Sequence, residues 1–428
     1  MKTKSILIVT YDWMPRNSIA VHRPYAWAKY WSLAGLKITV LTAKKYAYDE
    51  PLDLELPVLD AVKVIEIPYR SEGSLNKNTS NIKRNIINFL KKYSSTIKKI
   101  SGINFDIRDA WAKKAMPIAL DLCNSECVDI VVSTYGPRAC HYIAAKIKKE
   151  MPHIKWVADY RDMWSIRHNT ETPLIQKRSE KKLEKKLLSK ADLITTVSEP
   201  LVVDLGEFLK KKVYPVFNGY DAEWSDAVKR FNKINEDKKN KSPIKIIYTG
   251  IIYPGLQDPS PLFEAVNNLI ENKVISKDEI HIHFYGHRQI GISELIYKNS
   301  ASEYVTVHGH VSRELVLKEQ QNADLLLLLE SGENAAKGVL TGKIFEYMIS
   351  GKPVLSLGSK KDSAIGLMIE KTGIGVVCEN DTKEIKLILT QVLNNKLSAI
   401  YHPKIDSIKK FDRRVQAMDF LNLINDVM

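Results

Sequence analysis

Short apolar runs alternate with helical patterns along most of this chain, and the alternation occurs in two separate series. Runs of this length, separated by helices, are typical of βαβ units whose parallel sheet is buried on both faces. Such units assemble into doubly wound α/β domains. The runs of the first series are SILIVT (5–10), KITVLT (37–42), VKVIEIP (62–68), DIVVST (129–134), IKWVADY (154–160), ADLITTVS (191–198) and KVYPVFNG (212–219).

The second series begins after a polar segment. Residues 226–243 hold few apolar residues and end in proline, which is typical of an interdomain linker. We therefore predict two tandem Rossmann-like domains, over 1–225 and 244–405, that face each other across a cleft. The runs of the second series are IKIIYTG (244–250), EIHIHFYG (279–286), YVTVHGHV (304–311), DLLLLLE (324–330), PVLSLG (353–358) and GIGVVCE (373–379).

A short helix with polar residues at its start is predicted in the second domain, within GVLTGKIFEYMISGKPVLSLG (338–358). It follows a buried strand, so its unpaired N–H groups and dipole favour an anion such as a phosphate. Thr341 and Gly342 open the helix, Lys343 adds a positive charge, and Glu346 lies on the same face, where it could bind the two hydroxyls of a ribose. The alternative is a plain Lys–Glu surface pair on an amphipathic helix.

Two further strand ends carry candidate site residues. Gly250 follows the strand IKIIYT, where a glycine would let a ligand approach the backbone. In the first domain, Asp159, Arg161 and Asp162 stand at the end of the strand IKWVADY. A carboxylate there could act as a general base on a hydroxyl. The alternative is that Arg161 holds both aspartates in a structural ion pair.

The positive charge of the chain is concentrated in its first half. The net charge is +14, and residues 1–243 hold 43 Lys and Arg against 28 Asp and Glu, whereas residues 244–428 hold 21 against 22. Residues 73–105 contain no acidic residue and combine an apolar stripe with a basic face. We expect an anionic partner for the first domain: a membrane surface, a phosphate-bearing acceptor or a nucleic acid.

Several signatures are absent from the sequence. There is no D-x-D triplet, no phosphate loop of the G-x-x-x-x-G-K-[ST] type, no G-x-G-x-x-G after the first strand and no G-x-S-x-G. No apolar run reaches the length of a membrane span, and the N-terminus lacks the features of a signal peptide. Four cysteines without a metal-ligand spacing are typical of core residues in a reducing compartment. We expect a cytoplasmic protein.

The chain resembles glycosyltransferases of family 4, which have the GT-B fold, and especially bacterial enzymes that make surface polysaccharides such as capsule and O-antigen. The resemblance rests on ILIVTYDWMP, LAGLKITVLT, VADYRDMWS, ITTVSEPL, VFNGYD, IIYTGIIYPG, ADLLLLL and TGKIFEYMISGKPVL. It implies a nucleotide-sugar donor in the second domain, with Glu346 on the ribose, and an acceptor against the basic first domain. It also implies no metal or other cofactor, and a C-terminal helix, over 406–428, that returns to the first domain.

The sequence departs from the family pattern at two places. The family often has E-x7-E at this helix, but the earlier position is Gly338, which affects the recognition of the sugar. The basic residues that often follow the TG strand are missing, so Arg16, Arg138, Arg161 or Arg288 are candidates for contacts with the diphosphate or the acceptor.

We therefore predict a metal-independent glycosyltransferase that moves a sugar to a hydroxyl of an acceptor. We expect the acceptor to be a lipid-linked saccharide on the inner face of the membrane. The family suggests retention of anomeric configuration. One alternative is a nucleotide-sugar epimerase on the same fold, which needs no acceptor. Another is a basic nucleic-acid-binding protein, although the basic half lacks the interleaved aromatic residues that read RNA.

Overall fold

The computed structural model describes residues 4–49, 51–69, 106, 108–166, 173–221, 243–287, 289–331 and 337–427. The chain divides into two compact units. The first comprises Met1–Val197, Leu201–Phe217 and Gln416–Met428, and the second comprises Ser198–Pro200 and Asn218–Val415. The second unit thus begins several residues before the predicted boundary at 225. Residues 226–242 of the predicted linker, and the basic segment 73–105, lie outside the described residues.

The first unit contains a parallel sheet whose strands follow the order β3-β2-β1-β4-β5-β6-β7 in its described part. Its strands are β1 (Ser5–Val9), β2 (Lys37–Ala43), β3 (Val62–Ile67), β4 (Ile130–Thr134), β5 (Lys155–Tyr160), β6 (Leu193–Thr196) and β7 (Tyr214–Pro215). Its helices are α1 (Ile19–Leu33), α2 (Asp109–Ser125), α3 (Ala139–Glu150), α4 (Leu174–Leu188) and α5 (Glu199–Leu209).

Both faces of the first sheet are buried. Leu7 and Val9 of β1 belong to one apolar cluster, while Ile6 and Ile8 belong to another. Successive side chains of a strand point to opposite faces, so a continuous apolar run supplies both clusters at once. The predicted burial of the sheet on both faces follows directly from runs such as SILIV.

The C-terminal segment forms two helices where the sequence predicted one over 406–428. They are α12 (Ile405–Lys409) and α13 (Arg413–Val427). From Gln416 onward, α13 belongs to the first unit. The ring of Phe420 lies 5.1 Å from that of Trp27 and 5.5 Å from that of Trp31, and Trp31 Nε1 donates to the Ala417 carbonyl at 2.7 Å.

The second unit repeats the architecture with the strand order β10-β9-β8-β11-β12-β13, again parallel throughout its described part. Its strands are β8 (Ile244–Thr249), β9 (Ile280–Tyr285), β10 (Val305–Gly309), β11 (Leu325–Leu329), β12 (Val354–Leu357) and β13 (Gly375–Val377). Its other helices are α6 (Ser260–Glu271), α7 (Ile292–Lys298), α8 (Arg313–Asn322), α9 (Lys343–Ser350), α10 (Ala364–Thr372) and α11 (Thr382–Leu393).

The strand order reverses direction between β8 and β11, which lie side by side. All five leucines of β11 are fully buried, because this central strand is covered on both faces. In open α/β sheets, the carboxyl ends of the strands at such a reversal are where ligands bind. The residues that follow β8 and β11 therefore lie where this fold binds ligands. Among the described residues, no helix has the length and hydrophobicity needed to cross a bilayer.

Candidate functional site

Helix α9 begins close to the carboxyl ends of β8 and β11. Gly342 is its N-cap residue and makes no side-chain hydrogen bond to the first turn. Below that turn, Ile344, Phe345 and Tyr347 are buried, and Gly351 ends the helix in the left-handed conformation with φ of 77°. No side chain in the described part of the chain caps the first N–H groups of α9, which are therefore positioned to bind an anion.

The amino end of α9 is fixed to β8 by a buried hydrogen-bond network. Tyr347 is fully buried, and its hydroxyl accepts from the Thr249 N–H at 3.0 Å. Gln320 of α8 donates from Nε2 to the Thr249 hydroxyl at 3.1 Å. Buried polar groups that satisfy one another specify a unique packing. The network therefore sets where the first turn of α9 lies relative to the end of β8.

Lys343 is the first residue of α9, and its side chain lies over Tyr248 of β8. Its Nζ atom donates to the Tyr248 hydroxyl at 2.7 Å and lies 4.5 Å from the centre of that ring. An ammonium group has three donors, and the Lys343 ammonium forms no other hydrogen bond with the described residues. It is thus held in place while two of its N–H groups are unused in the described part of the chain.

Gly250 has a different role from the one predicted. Its φ is +123°, and a Cβ atom at this position would overlap with Cε of Lys343. The space above the Gly250 backbone is therefore filled by the Lys343 side chain rather than left open for a ligand. The glycine allows the lysine to reach its position over Tyr248.

Burial strongly perturbs the charges around Lys343. It lowers the pKa of the Lys343 ammonium to about 8 and raises the pKa of the Glu330 carboxyl at the end of β11. Coulomb attraction between the two groups partly offsets these shifts, because Glu330 raises the pKa of Lys343 and Lys343 lowers the pKa of Glu330. Oε1 of Glu330 is buried without a hydrogen-bond partner in the described part of the chain. A buried cation with spare donors is thus accompanied by a carboxyl group with a spare acceptor.

Glu346 lies one turn after Lys343, and 31% of its side chain is exposed. It pairs with Arg313 of α8, whose Nη2 lies 2.9 Å from Glu346 Oε1. The alternative of a Lys343–Glu346 surface pair does not describe this site, because the two residues have different partners. The carboxylate remains accessible to hydroxyl groups, and Thr341 and Gly342 immediately precede the helix.

Asp159 does not occupy the position expected of a catalytic base. It is fully buried, and its two oxygens accept from Arg23, at 2.6 and 3.1 Å, and from the hydroxyls of Thr134 and Thr195, at 3.1 and 2.9 Å. Arg23 is itself 3% exposed and also donates to the Phe217 carbonyl. Because four donors saturate the carboxylate, we assign Asp159 a structural role, with Arg23 rather than Arg161 as its partner.

Arg161 and Asp162 form the ion pair predicted as the alternative, without Asp159. Their Nε and Oδ2 atoms are 3.2 Å apart, and the Asp162 side chain is 59% exposed. The Arg161 guanidinium group lies against Gly136, where a Cβ atom would overlap with Nη2. Gly136 has φ of +108°, so glycine is required both by its backbone and by the arginine.

The other predicted arginines are also paired. Arg16 Nη1 lies 2.5 Å from Asp12 Oδ1 and is partly exposed, whereas Arg138 is buried with Nη2 2.6 Å from Asp109 Oδ2. Arg288 lies outside the described residues. No group of three or more metal-ligating side chains is present in the described ranges.

Tyr248, Glu330 and Arg313 were not identified from the sequence. Glu330 carried a usable signal, because a carboxylate directly follows five buried leucines at a strand end. Arg313 opens the helix that comes after β10. The pairing of Arg23 with Asp159 gave no local signal, since the two residues are 136 positions apart.

Comparisons with known proteins identify the fold. No protein-family model and no curated protein sequence matches the chain. Sucrose-phosphate synthase (tll1590) from Thermosynechococcus elongatus superposes with a TM-score of 0.63 and 12% identity over 99% of both chains. The apo form of the lipopolysaccharide outer core galactosyltransferase WaaB superposes with a TM-score of 0.63 and 14% identity over 100% of both chains. An E. coli structure described as trehalose-6-phosphate bound with UDP-2-fluoro glucose superposes with a TM-score of 0.58 and 13% identity over 99% of both chains.

These similarities extend over the whole chain, so the predicted pair of doubly wound α/β domains is confirmed. At 12–14% identity, such similarities establish a shared fold, and function must be argued from the site.

Proposed function

We propose that this chain is a glycosyltransferase that moves a sugar from a nucleoside-diphosphate sugar to a hydroxyl of a saccharide acceptor. The names of the structures that share its fold support this proposal: a synthase of sucrose phosphate, a galactosyltransferase and a protein bound with a UDP-sugar analogue. The resemblance to family 4 supports it independently, through motifs distributed along the sequence.

The observation that carries the proposal is the state of Lys343. Among the described residues, two donors of the buried Lys343 ammonium are unused, and the amino end of α9 next to it has no side-chain cap. Both features favour a polyanion, and a diphosphate is the anion that the fold suggests. Lys343 and the N–H groups of Thr341–Ile344 would then offset the charge of the departing diphosphate without a metal, consistent with the absence of D-x-D.

Glu346 is our candidate for the ribose of the donor. Its accessible carboxylate lies one helical turn from the diphosphate position and can accept hydrogen bonds from two vicinal hydroxyls. Arg313 orients this carboxylate, so we expect it to support ribose binding. Since Gly338 replaces the glutamate that often contacts the sugar, other groups must recognise the transferred sugar.

On the acceptor side, Arg161 and Asp162 are the proposed functional residues. Asp162 is exposed at the end of β5, and a carboxylate there can orient an acceptor hydroxyl. Arg16 and Arg138 follow neighbouring strands and remain candidates for anionic groups of the acceptor, as does Arg288. We also propose retention of anomeric configuration, on the resemblance to family 4 alone.

A lipid-linked acceptor of bacterial surface-polysaccharide synthesis fits the charge distribution. The excess of 15 positive charges in residues 1–243 favours contact with anionic lipid. We therefore propose a cytoplasmic location at the inner face of the membrane, with transfer to a growing saccharide.

A screen of nucleoside diphosphates and their sugars by calorimetry tests this proposal. One nucleoside diphosphate should bind, and its sugar should be hydrolysed slowly without acceptor, with release of the diphosphate. Lys343→Ala should weaken binding by about 10- to 150-fold, because hydrogen bonds to charged groups contribute about 1.5–3 kcal/mol. Lys383→Ala, on the exposed surface of α11, is the matched control and should bind as the wild type does.

Other outcomes would contradict the proposal. Conversion of the donor to an epimer without acceptor would identify an epimerase instead. Equal affinities of the Lys343 and Lys383 variants would show that the diphosphate does not bind at α9.

A further inference from the structure

Cations occupy most of the outward face of α4 in the first unit. Leu174, Arg178, Lys182 and Lys186 follow one another at intervals of four residues, so they form one stripe along the helix. All four are exposed, whereas Glu180, Glu184 and Leu188 on the opposite side are buried. We call Arg178, Lys182, Lys185 and Lys186 the cationic face of α4.

The acidic residues of α4 are all used inside the domain. Glu184 accepts from the Tyr160 hydroxyl at 2.8 Å and from the Ser165 N–H at 3.0 Å. Glu180 lies 3.6 Å from Arg138 Nη1. On ordinary solvated helices, exposed carboxylates neutralise neighbouring lysines. Helix α4 has no exposed carboxylate that could do so.

The cations of this face also lack partners on neighbouring elements. No ion pair involves Arg178, Lys182 or Lys186 in the part of the chain that the structure describes. Lys185 lies over the ring of Phe208 at 4.7 Å, which leaves its positive charge in place. Like charges at this spacing repel one another, so an external anion would stabilise the face.

Two large aliphatic side chains lie at the start of the same face. Leu174 is 73% exposed and Ile175 is 62% exposed. Aliphatic residues next to exposed lysines are the combination found on helices that lie in the interface of a bilayer. Surfaces that bind single-stranded nucleic acid instead combine cations with exposed aromatic rings, whereas the ring of Phe208, which is found at this face among the described residues, is covered by Lys181 and Lys185.

We propose that the cationic face of α4, with Leu174 and Ile175, docks on an anionic lipid bilayer. The lysines and Arg178 contact lipid phosphates while the two aliphatic side chains enter the headgroup region. The inference rests on the membrane association in the proposed function but not on the transfer reaction. It assigns that association to a defined surface outside the predicted basic segment 73–105.

Flotation of the full chain with vesicles tests the inference, using phosphatidylcholine alone and phosphatidylcholine mixed with phosphatidylglycerol. The wild type should bind only the anionic vesicles. Lys182→Glu/Lys186→Glu should weaken this binding at least about 25-fold, because each cation near a surface contributes about fivefold. Lys298→Glu/Lys383→Glu changes the net charge equally on exposed positions of the second unit and should leave binding unchanged.

A second variant separates lipid insertion from charge. Leu174→Ser/Ile175→Ser should weaken vesicle binding at constant net charge, and both variants should melt at the wild-type temperature. If the wild type binds anionic vesicles and Lys182→Glu/Lys186→Glu binds them equally well, the inference is wrong. If neither the wild type nor the variants bind vesicles, both the inference and the proposed membrane location are wrong. Loss of RNA binding in the charge variant, with vesicle binding retained, would assign this face to RNA.

Discussion

Arg23 and Asp159 illustrate what a sequence motif can and cannot convey at the scale of single residues. The stretch VADYRDMWS places three charged residues at a strand end, and this pattern is common to catalytic sites and structural ion pairs. The deciding fact is that Arg23, in another helix, enters the space beside Asp159 and leaves its carboxylate no free acceptor.

Asp159→Asn should therefore reduce stability strongly. The substitution leaves the buried Arg23 guanidinium without its counter-ion, which typically costs about 3–5 kcal/mol. Urea unfolding of the variant measures the effect. Asp162→Asn should change the free energy of unfolding by only about 0.5 kcal/mol, because that side chain is exposed. A stable Asp159→Asn protein with no transferase activity would restore Asp159 as a catalytic residue.

The pKa of Lys343 predicts how binding of a nucleoside diphosphate depends on pH. The ammonium group is charged below its pKa of about 8 and neutral above it. A phosphate with a pKa near 6 is almost fully ionised above pH 7, so the affinity should fall as the pH rises through about 8, by up to about tenfold per pH unit once the ammonium is mostly neutral. Calorimetric titrations across this range measure it.

The stability of the chain should change in the opposite direction over the same range. Burial depresses the Lys343 pKa below its ordinary 10.5, so the unfolded chain binds more protons between these two values and this group's contribution to stability rises with pH. Glu330→Gln removes the carboxylate that raises the Lys343 pKa, so in this variant the fall in diphosphate affinity should begin at a lower pH. If the affinity and the stability of Lys343→Ala depend on pH as those of the wild type do, this account is wrong.

At the scale of elements, the arrangement of β8, β11 and α9 was predictable, whereas their side-chain contacts were not. Continuous apolar runs between helical patterns predicted both sheets, and polar residues after the run of leucines predicted the helix start; both are local features of the sequence. The overlap between Gly250 and Lys343 joins residues far apart in sequence, and only the packed structure shows it. The same holds for the Glu346–Arg313 pair.

Gly250→Ala should therefore disturb the site from a distance. The added methyl group must displace the Lys343 side chain, and the residue must keep φ at +123°, a strain of about 1–3 kcal/mol for a non-glycine residue. We expect the nucleoside diphosphate to bind at least about tenfold more weakly, because roughly one charge-assisted hydrogen bond from Lys343 would be lost. Isothermal calorimetry measures it.

Gly255→Ala is the matched control for this change. Gly255 lies in the same loop at φ of +74°, but a Cβ atom there meets nothing within 4 Å. Its substitution should lower stability without changing the affinity. Equal affinity losses in both variants would mean that backbone strain, rather than the position of Lys343, controls binding.

At the scale of the whole molecule, the first unit obtains its core from segments that are distant in sequence. Residues 416–428 at the end of the chain belong to this unit, where Phe420 packs against both Trp27 and Trp31. The sequence suggested this segment through its resemblance to a family. The division of the segment into α12 and α13 was missed.

Phe420→Ala should destabilise the first unit by about 3–5 kcal/mol, as is typical when a buried phenylalanine leaves a cavity. Thermal unfolding, followed by tryptophan fluorescence, measures the effect. Asn422→Ala, at an exposed position of the same helix, should melt as the wild type does. If both variants melt alike, α13 contributes little to the first unit.

The account depends most on the position of the diphosphate. A crystal structure of the chain soaked with the nucleoside diphosphate found in the screen tests this directly. We predict phosphate oxygens within hydrogen-bonding distance of Lys343 Nζ and the first N–H groups of α9, with the ribose hydroxyls on Glu346. A diphosphate bound elsewhere, with Lys343 still bonded to Tyr248 alone, would contradict the proposed function.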